Sequence, residues 1–181
     1  MNPSETLLTI AEISIAVIGF AGIVSALRPR SSPHADAMHR LRMRMRIMIE
    51  TSAYVVVFAF FPLLLAGLDL PKDVVWGVGS ALLAATAPIQ VTSIYVRQRS
   101  LFGSALLRET LLFDASTIGL AVLVECALIA NATGPLVEPR FAGYLVGVLF
   151  PLWAAVAMFI RAILASEGLT TRPVEEPPSG D

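Results

Sequence analysis

Residues 111–130 read LLFDASTIGLAVLVECALIA. Twenty residues of helix rise about 30 Å, which matches the hydrocarbon core of a bilayer. The stretch is apolar enough to cross it, yet it carries Asp114 and Glu125. Eleven residues separate the two acids. On a helix they point within about 20° of each other and lie about 16 Å apart along the axis. Thr110, Thr117 and Ala121 share that face, and the other faces are Leu, Ile and Val. Acids on one face of a spanning helix turn towards protein or water, because lipid makes them costly.

Four more apolar runs flank this one, at about 7–27, 47–68, 74–96 and 141–164, with the stretch itself extending to residue 131. The chain of 181 residues is 56% hydrophobic and only 15% charged. A soluble domain carries about 25% charged residues. The expected fold is therefore all-α: a polytopic bundle of five transmembrane helices over residues 1–169, with a disordered Pro- and Glu-rich tail at 170–181. A formal net charge of −1 argues against nucleic acid as a partner. The single cysteine, Cys126, excludes an intrachain disulfide and reads as a small packed residue. The first apolar run is too long for a cleaved signal, so it is expected to remain as a span.

The first span opens with Asn2-Pro3-Ser4-Glu5, where Asn2 suits a cap and Pro3 the first helical position. Along it Glu5, Thr9, Glu12, Ala16, Gly19 and Ala26 form one small and polar face, which favours close helix packing. The basic connector 28–46 holds six arginines and both histidines, His34 and His39. Its run HRLRMRMRIMIE alternates like a strand, but the apolar sequence continues unbroken, so it is expected to extend the second helix. There Arg40 and Arg44 share one side, and Arg42 and Arg46 another; both pairs suit anionic lipid headgroups or simply cytoplasmic retention. Glu50 lies four residues after Arg46, the spacing of a local ion pair. Pro62 removes a backbone donor.

In the third span Gly79, Thr86, Gln90, Ser93 and Arg97 fall on one stripe. Residues 97–109 read as a polar connector with a short interfacial helix. In the fifth span Gly143 and Gly147 form a GxxxG packing signal, and Tyr144 and Arg161 suit the two interfaces. Asn131-Ala132-Thr133 fits a glycosylation sequon of little weight.

Lys and Arg alternate by connector: none before the first span, then six, one, three, one, and two at the C-terminal end. This predicts an outside N-terminus and a cytoplasmic C-terminus, in a bacterial-type inner membrane. By depth, Glu12 and Glu125 then form an outer acidic pair, while Glu50, Asp114, Gln90 and Arg97 form an inner cluster. Two facing carboxylates in low dielectric share a proton or hold a cation. Arg97 beside Asp114 or Glu50 would instead make a structural ion pair.

Three functions follow. The first is movement of protons or small cations, with Glu12, Glu125, Asp114 and Glu50 as the site and Thr86, Gln90, Ser93, Arg97 and Thr117 lining a path through spans one, three and four. The second is a non-conducting scaffold or accessory subunit, in which the polar faces join helices. The third is anionic-lipid binding through Arg40, Arg42, Arg44 and Arg46. Partners are the lipid bilayer and either further copies of the chain or a larger membrane complex. No catalytic, metal or cofactor motif is present: HExxH, a phosphate loop and a dinucleotide fingerprint are all missing.

Overall fold

A computed structural model describes residues 2–27, 35–134 and 140–170, with side chains over 2–26, 42–97, 116–134 and 140–160. Its elements are α1 (Pro3–Leu27), α2 (Ala35–Ala66), α3 (Lys72–Thr133) and α4 (Arg140–Thr170). No strand occurs among the described residues. Five helical stretches are long and apolar enough to cross a membrane: Pro3–Ala26, Arg42–Ala66, Lys72–Arg97, Ser116–Thr133 and Arg140–Ile160. Their positions agree with the five expected spans to within a few residues.

Local chemistry explains the helix ends. Asn2 caps α1, its Oδ1 accepting from the Ser4 amide at 3.2 Å, and Pro3 occupies the first helical position, where its missing N–H costs nothing. The arginine-rich run is helical from Ala35 onward, as expected of an extension of span two. The turn after α2 closes at Asp69, which takes a left-handed conformation (φ 54°).

The element α3 differs from expectation. Residues 97–109, read as a connector, are helical and fuse spans three and four into one run of 62 residues. Straight, it would extend about 93 Å, three bilayer thicknesses. It is not straight. Asn131 Nδ2 donates to Ser80 Oγ at 2.8 Å, although 51 residues of straight helix would separate the two by about 76 Å. The run therefore folds back on itself between Arg97 and Ser116, and its two arms lie antiparallel. Leu83 and Leu128 both meet the same point on Gly147, so residue numbers on facing arms total about 211. Carried along the hairpin, that register sets Thr86 level with Glu125, Ser93 with Thr117, and Arg97 with Asp114.

The spans alternate in direction. At one end, Ala21, Met45, Met48 and Ala155 pack together, and Phe20 meets Phe159 edge-on at 5.2 Å. At the other end, Trp76 lies 5.1 Å from Phe141, and Arg140 donates to the Asp73 carbonyl at 3.1 Å. Between them runs one core, including Leu7, Ile10, Phe58, Leu83, Leu128, Tyr144 and Val148. Helix α1 packs on α2 and touches α4; among the described residues it makes no contact with α3.

Tyr144, expected at an interface, is instead fully buried. Its hydroxyl donates to the Phe58 carbonyl. Phe58 lies four residues before Pro62, so its carbonyl has lost its intrahelical partner. Tyr144 supplies that donor from another helix, and its ring packs where Gly79 has no side chain. Gly143 and Gly147 meet Asn131 and Leu128, respectively. The GxxxG motif thus does what its spacing suggested: it admits the second arm of α3.

Candidate functional site: a polar seam and an arginine clasp

Hairpin folding gathers two polar stripes into one seam. On the second arm of α3, Thr117, Ala121 and Glu125 are half-buried, while Ile118, Leu120, Val122 and Leu123 are exposed. The face with the acid therefore turns inward, as spanning-helix energetics require. On the first arm Thr86, Gln90, Ser93 and Arg97 are half-buried too. Helix α2 contributes Tyr54, whose hydroxyl lies 2.8 Å from Thr86 Oγ1 and donates to the Leu83 carbonyl at 3.3 Å. Thr86 also bonds back to the Leu82 carbonyl at 2.8 Å, a common use of threonine in apolar helices.

At one end the seam meets an arginine clasp. Arg46 Nε donates to Glu50 Oε1 at 2.8 Å, and Arg97 donates to both Glu50 oxygens at 2.9 Å. The expected Arg46–Glu50 pair is present, and Arg97 joins it from the end of the third span. The three side chains are 68% (Arg46), 42% (Arg97) and 35% (Glu50) exposed. Ion pairs this open contribute about 0–1 kcal/mol each, so the clasp fixes positions more than it stabilises the fold. On α2, Arg42 is exposed on the same side as Arg46, whereas Arg44 is half-buried. Met43, Met45, Ile47 and Met48 fill the inward side. The side chains of Arg40 and Asp114 lie outside the described residues.

Glu12 stands apart. It is exposed, about 160° around α1 from the buried Ser14. Its whole stripe, Glu5, Thr9, Glu12, Ala16, Gly19 and Ala26, is exposed. A Cβ added at Gly19 or Gly22 would meet nothing within 4 Å. Helix α1 packs instead through Leu7, Ile10, Ala11, Ser14 and Ala21. Glu12 and Glu125 therefore sit on elements that do not touch within one chain. The interior expected between spans one, three and four has α2 in the place of span one.

Sequence reasoning passed over other polar groups. Asn131, weighed only as a sequon, is buried and bridges Ser80 to the Arg140 carbonyl, at 2.8 and 2.9 Å. Its signal was its spacing: with Leu128 and Val124 it lies on the inner face of the second arm. Thr51 and Ser52, just past Glu50, keep buried hydroxyl oxygens with no hydrogen-bond partner, as does Asn131 Oδ1. Among the described residues, no three His, Cys, Asp or Glu side chains gather into a metal site. Compared with known proteins, the chain matches no family model, no curated protein and no solved structure.

Proposed function

We propose that the protein is an integral membrane subunit whose role is lateral assembly, with α1 receiving a helix from a second copy or from a partner in a larger complex. The outward stripe of α1 carries this reading. Gly19 leaves room for a close helix approach, and Glu12 stands about 15 Å along the helix from Asn2. An acid at that depth facing lipid costs up to about 3 kcal/mol on insertion scales. A docked helix with a hydroxyl, amide or shared proton for the carboxyl removes that cost. Eleven of the thirteen Lys and Arg residues fall in the first and third connectors and the C-terminal end of the sequence, which favours placing those in the cytoplasm.

The test is cross-linking in vesicles at low protein density. In a Cys126→Ser background, Ala16→Cys is expected to form a disulfide dimer or a cross-link to a membrane partner. Gly19→Leu, on the same stripe and in open space, should abolish the cross-link without lowering the melting temperature of the isolated chain. An unchanged yield of cross-link in Gly19→Leu would refute the reading.

A second reading, movement of protons or small cations along the seam of spans two, three and four, is supported by the half-buried, inward-facing Glu125. In it Glu125 holds the proton or cation, Thr86, Gln90, Ser93 and Thr117 line the path, and Asp114, Glu50 and Arg97 close the clasp end. Proton flux into protein-loaded liposomes, lost in Glu125→Gln with the fold intact, would establish it. No flux from the unaltered protein would remove it.

A further inference from the structure

We infer that the arginine clasp is a binding site for the phosphate of an anionic lipid, with Glu50 as the residue that positions it. Arg42 and Arg46 are exposed on one side of α2 beside Glu50, and the Glu50 carboxylate also takes Arg97 from α3. Glu50 holds two guanidiniums from different helices on one carboxylate, at 2.8 and 2.9 Å. Arg46 spends only its Nε there, so both of its terminal nitrogens remain as donors, and the side chain is 68% exposed. A planar guanidinium held in place loses less rotamer entropy on taking a phosphate than a free one does.

The surface beside the clasp selects lipid over a soluble phosphate. Arg46, Glu50, Ala53, Val57, Phe60 and Leu64 follow one another at steps of four, three, four, three and four on α2. That spacing makes a single lane. Beyond Glu50 the lane is apolar and outward, with Val57 61% and Leu64 70% exposed. It begins at the guanidiniums and descends into the span. A headgroup phosphate at Arg42 and Arg46 places an acyl chain along Val57 and Leu64. Snorkelling arginines at a span end are common. Here, in addition, a carboxylate orders them and an acyl lane adjoins them.

The full-length protein, purified in a neutral detergent, is titrated with phosphatidylglycerol and with phosphatidylcholine, and bound lipid is counted by native mass spectrometry. Phosphatidylglycerol should be retained in preference. Arg46→Lys keeps the charge but loses the fork, and should reduce retention several-fold. Glu50→Gln raises the net charge by one yet should also reduce retention, because the guanidiniums lose their anchor. Equal retention in Arg46→Lys, or stronger retention in Glu50→Gln, would overturn the site and leave an unspecific basic belt. Displacement of the lipid by millimolar inorganic phosphate would overturn the choice of lipid as the source. Melting curves of both variants are recorded alongside. Should either fail to fold, Arg42→Lys, exposed and outside the Glu50 ion pairs, gives the same comparison of charge against fork.

Discussion

The bond from Tyr144 to the Phe58 carbonyl makes a prediction that reaches the logic of the fold. Tyr144→Phe removes one hydroxyl and leaves the ring, which packs 5.7 Å from Trp76 and against Gly79. Tyr144 is fully buried, so water cannot replace the lost donor. Interhelical hydrogen bonds in membrane proteins average about 0.6 kcal/mol and reach about 1.7. A buried carbonyl left without a donor adds about 1 kcal/mol or more. Phe58 is such a carbonyl because Pro62 withholds the amide that would otherwise serve it. Tyr144→Phe should therefore cost about 1–2 kcal/mol, read by reversible unfolding in mixed micelles with increasing SDS. In a Pro62→Ala background the residue-62 amide can serve Phe58, and the same change should cost about 0.5 kcal/mol. The double-mutant cycle then shows a coupling of about 1 kcal/mol, well above the few tenths expected of independent sites. Equal costs in the two backgrounds would refute the claim that the tyrosine answers the proline.

Two further outcomes test the packing. Asn131→Ala removes the bridge to Ser80 and the Arg140 carbonyl and should destabilise by about 1–2 kcal/mol, whereas Ser80→Ala, which leaves the bond to Arg140, should cost less in the same unfolding assay. Gly147→Ala puts a methyl 2.5 Å from Leu128 Cδ2 and 2.8 Å from Leu83 Cδ2 and should cost about 1–3 kcal/mol, while Gly22→Ala, in open space, should leave the melting of the isolated chain unchanged.

Different parts of this structure were legible to different degrees, for physical reasons. The five apolar stretches follow from length and hydropathy, because any helix that crosses a bilayer must be about 20 apolar residues long. The Arg46–Glu50 pair follows from spacing alone. The facing of the second α3 arm was also legible, since Thr117 and Glu125 mark a face that lipid does not tolerate. Hairpin register was not. It depends on where the helical run between Arg97 and Ser116 folds back, and the apolar periodicity on either side is satisfied by many registers. The role of Tyr144 was half-legible: Pro62 announces an orphaned carbonyl at Phe58, but sequence does not name the helix that answers it. The place of Tyr144 near a span end pointed to an interface, yet the residue is fully buried.

Helix α1 is where two rules part. In water, a helix shows its polar face to solvent and buries its apolar one. In lipid, apolar faces are satisfied by acyl chains, so polarity and small size mark the face that seeks protein. By the second rule Glu5, Thr9, Glu12, Ala16, Gly19 and Ala26 should be covered. Within one chain they are not, because α2 and α4 take the opposite face through Leu7, Ile10, Ala11, Ser14 and Ala21. On the proposed reading both faces of α1 are packing faces, one used inside the chain and one left for another. The acid on that outer face gives the argument its weight, since Gly and Ala alone sit in lipid without cost while Glu12 does not. The seam follows the rule inside the chain, with Glu125 half-buried on the inward side of its arm. With Glu125 half-buried and Glu12 exposed, the same energetic demand falls harder on Glu12, and that difference is the ground on which an assembled form is proposed.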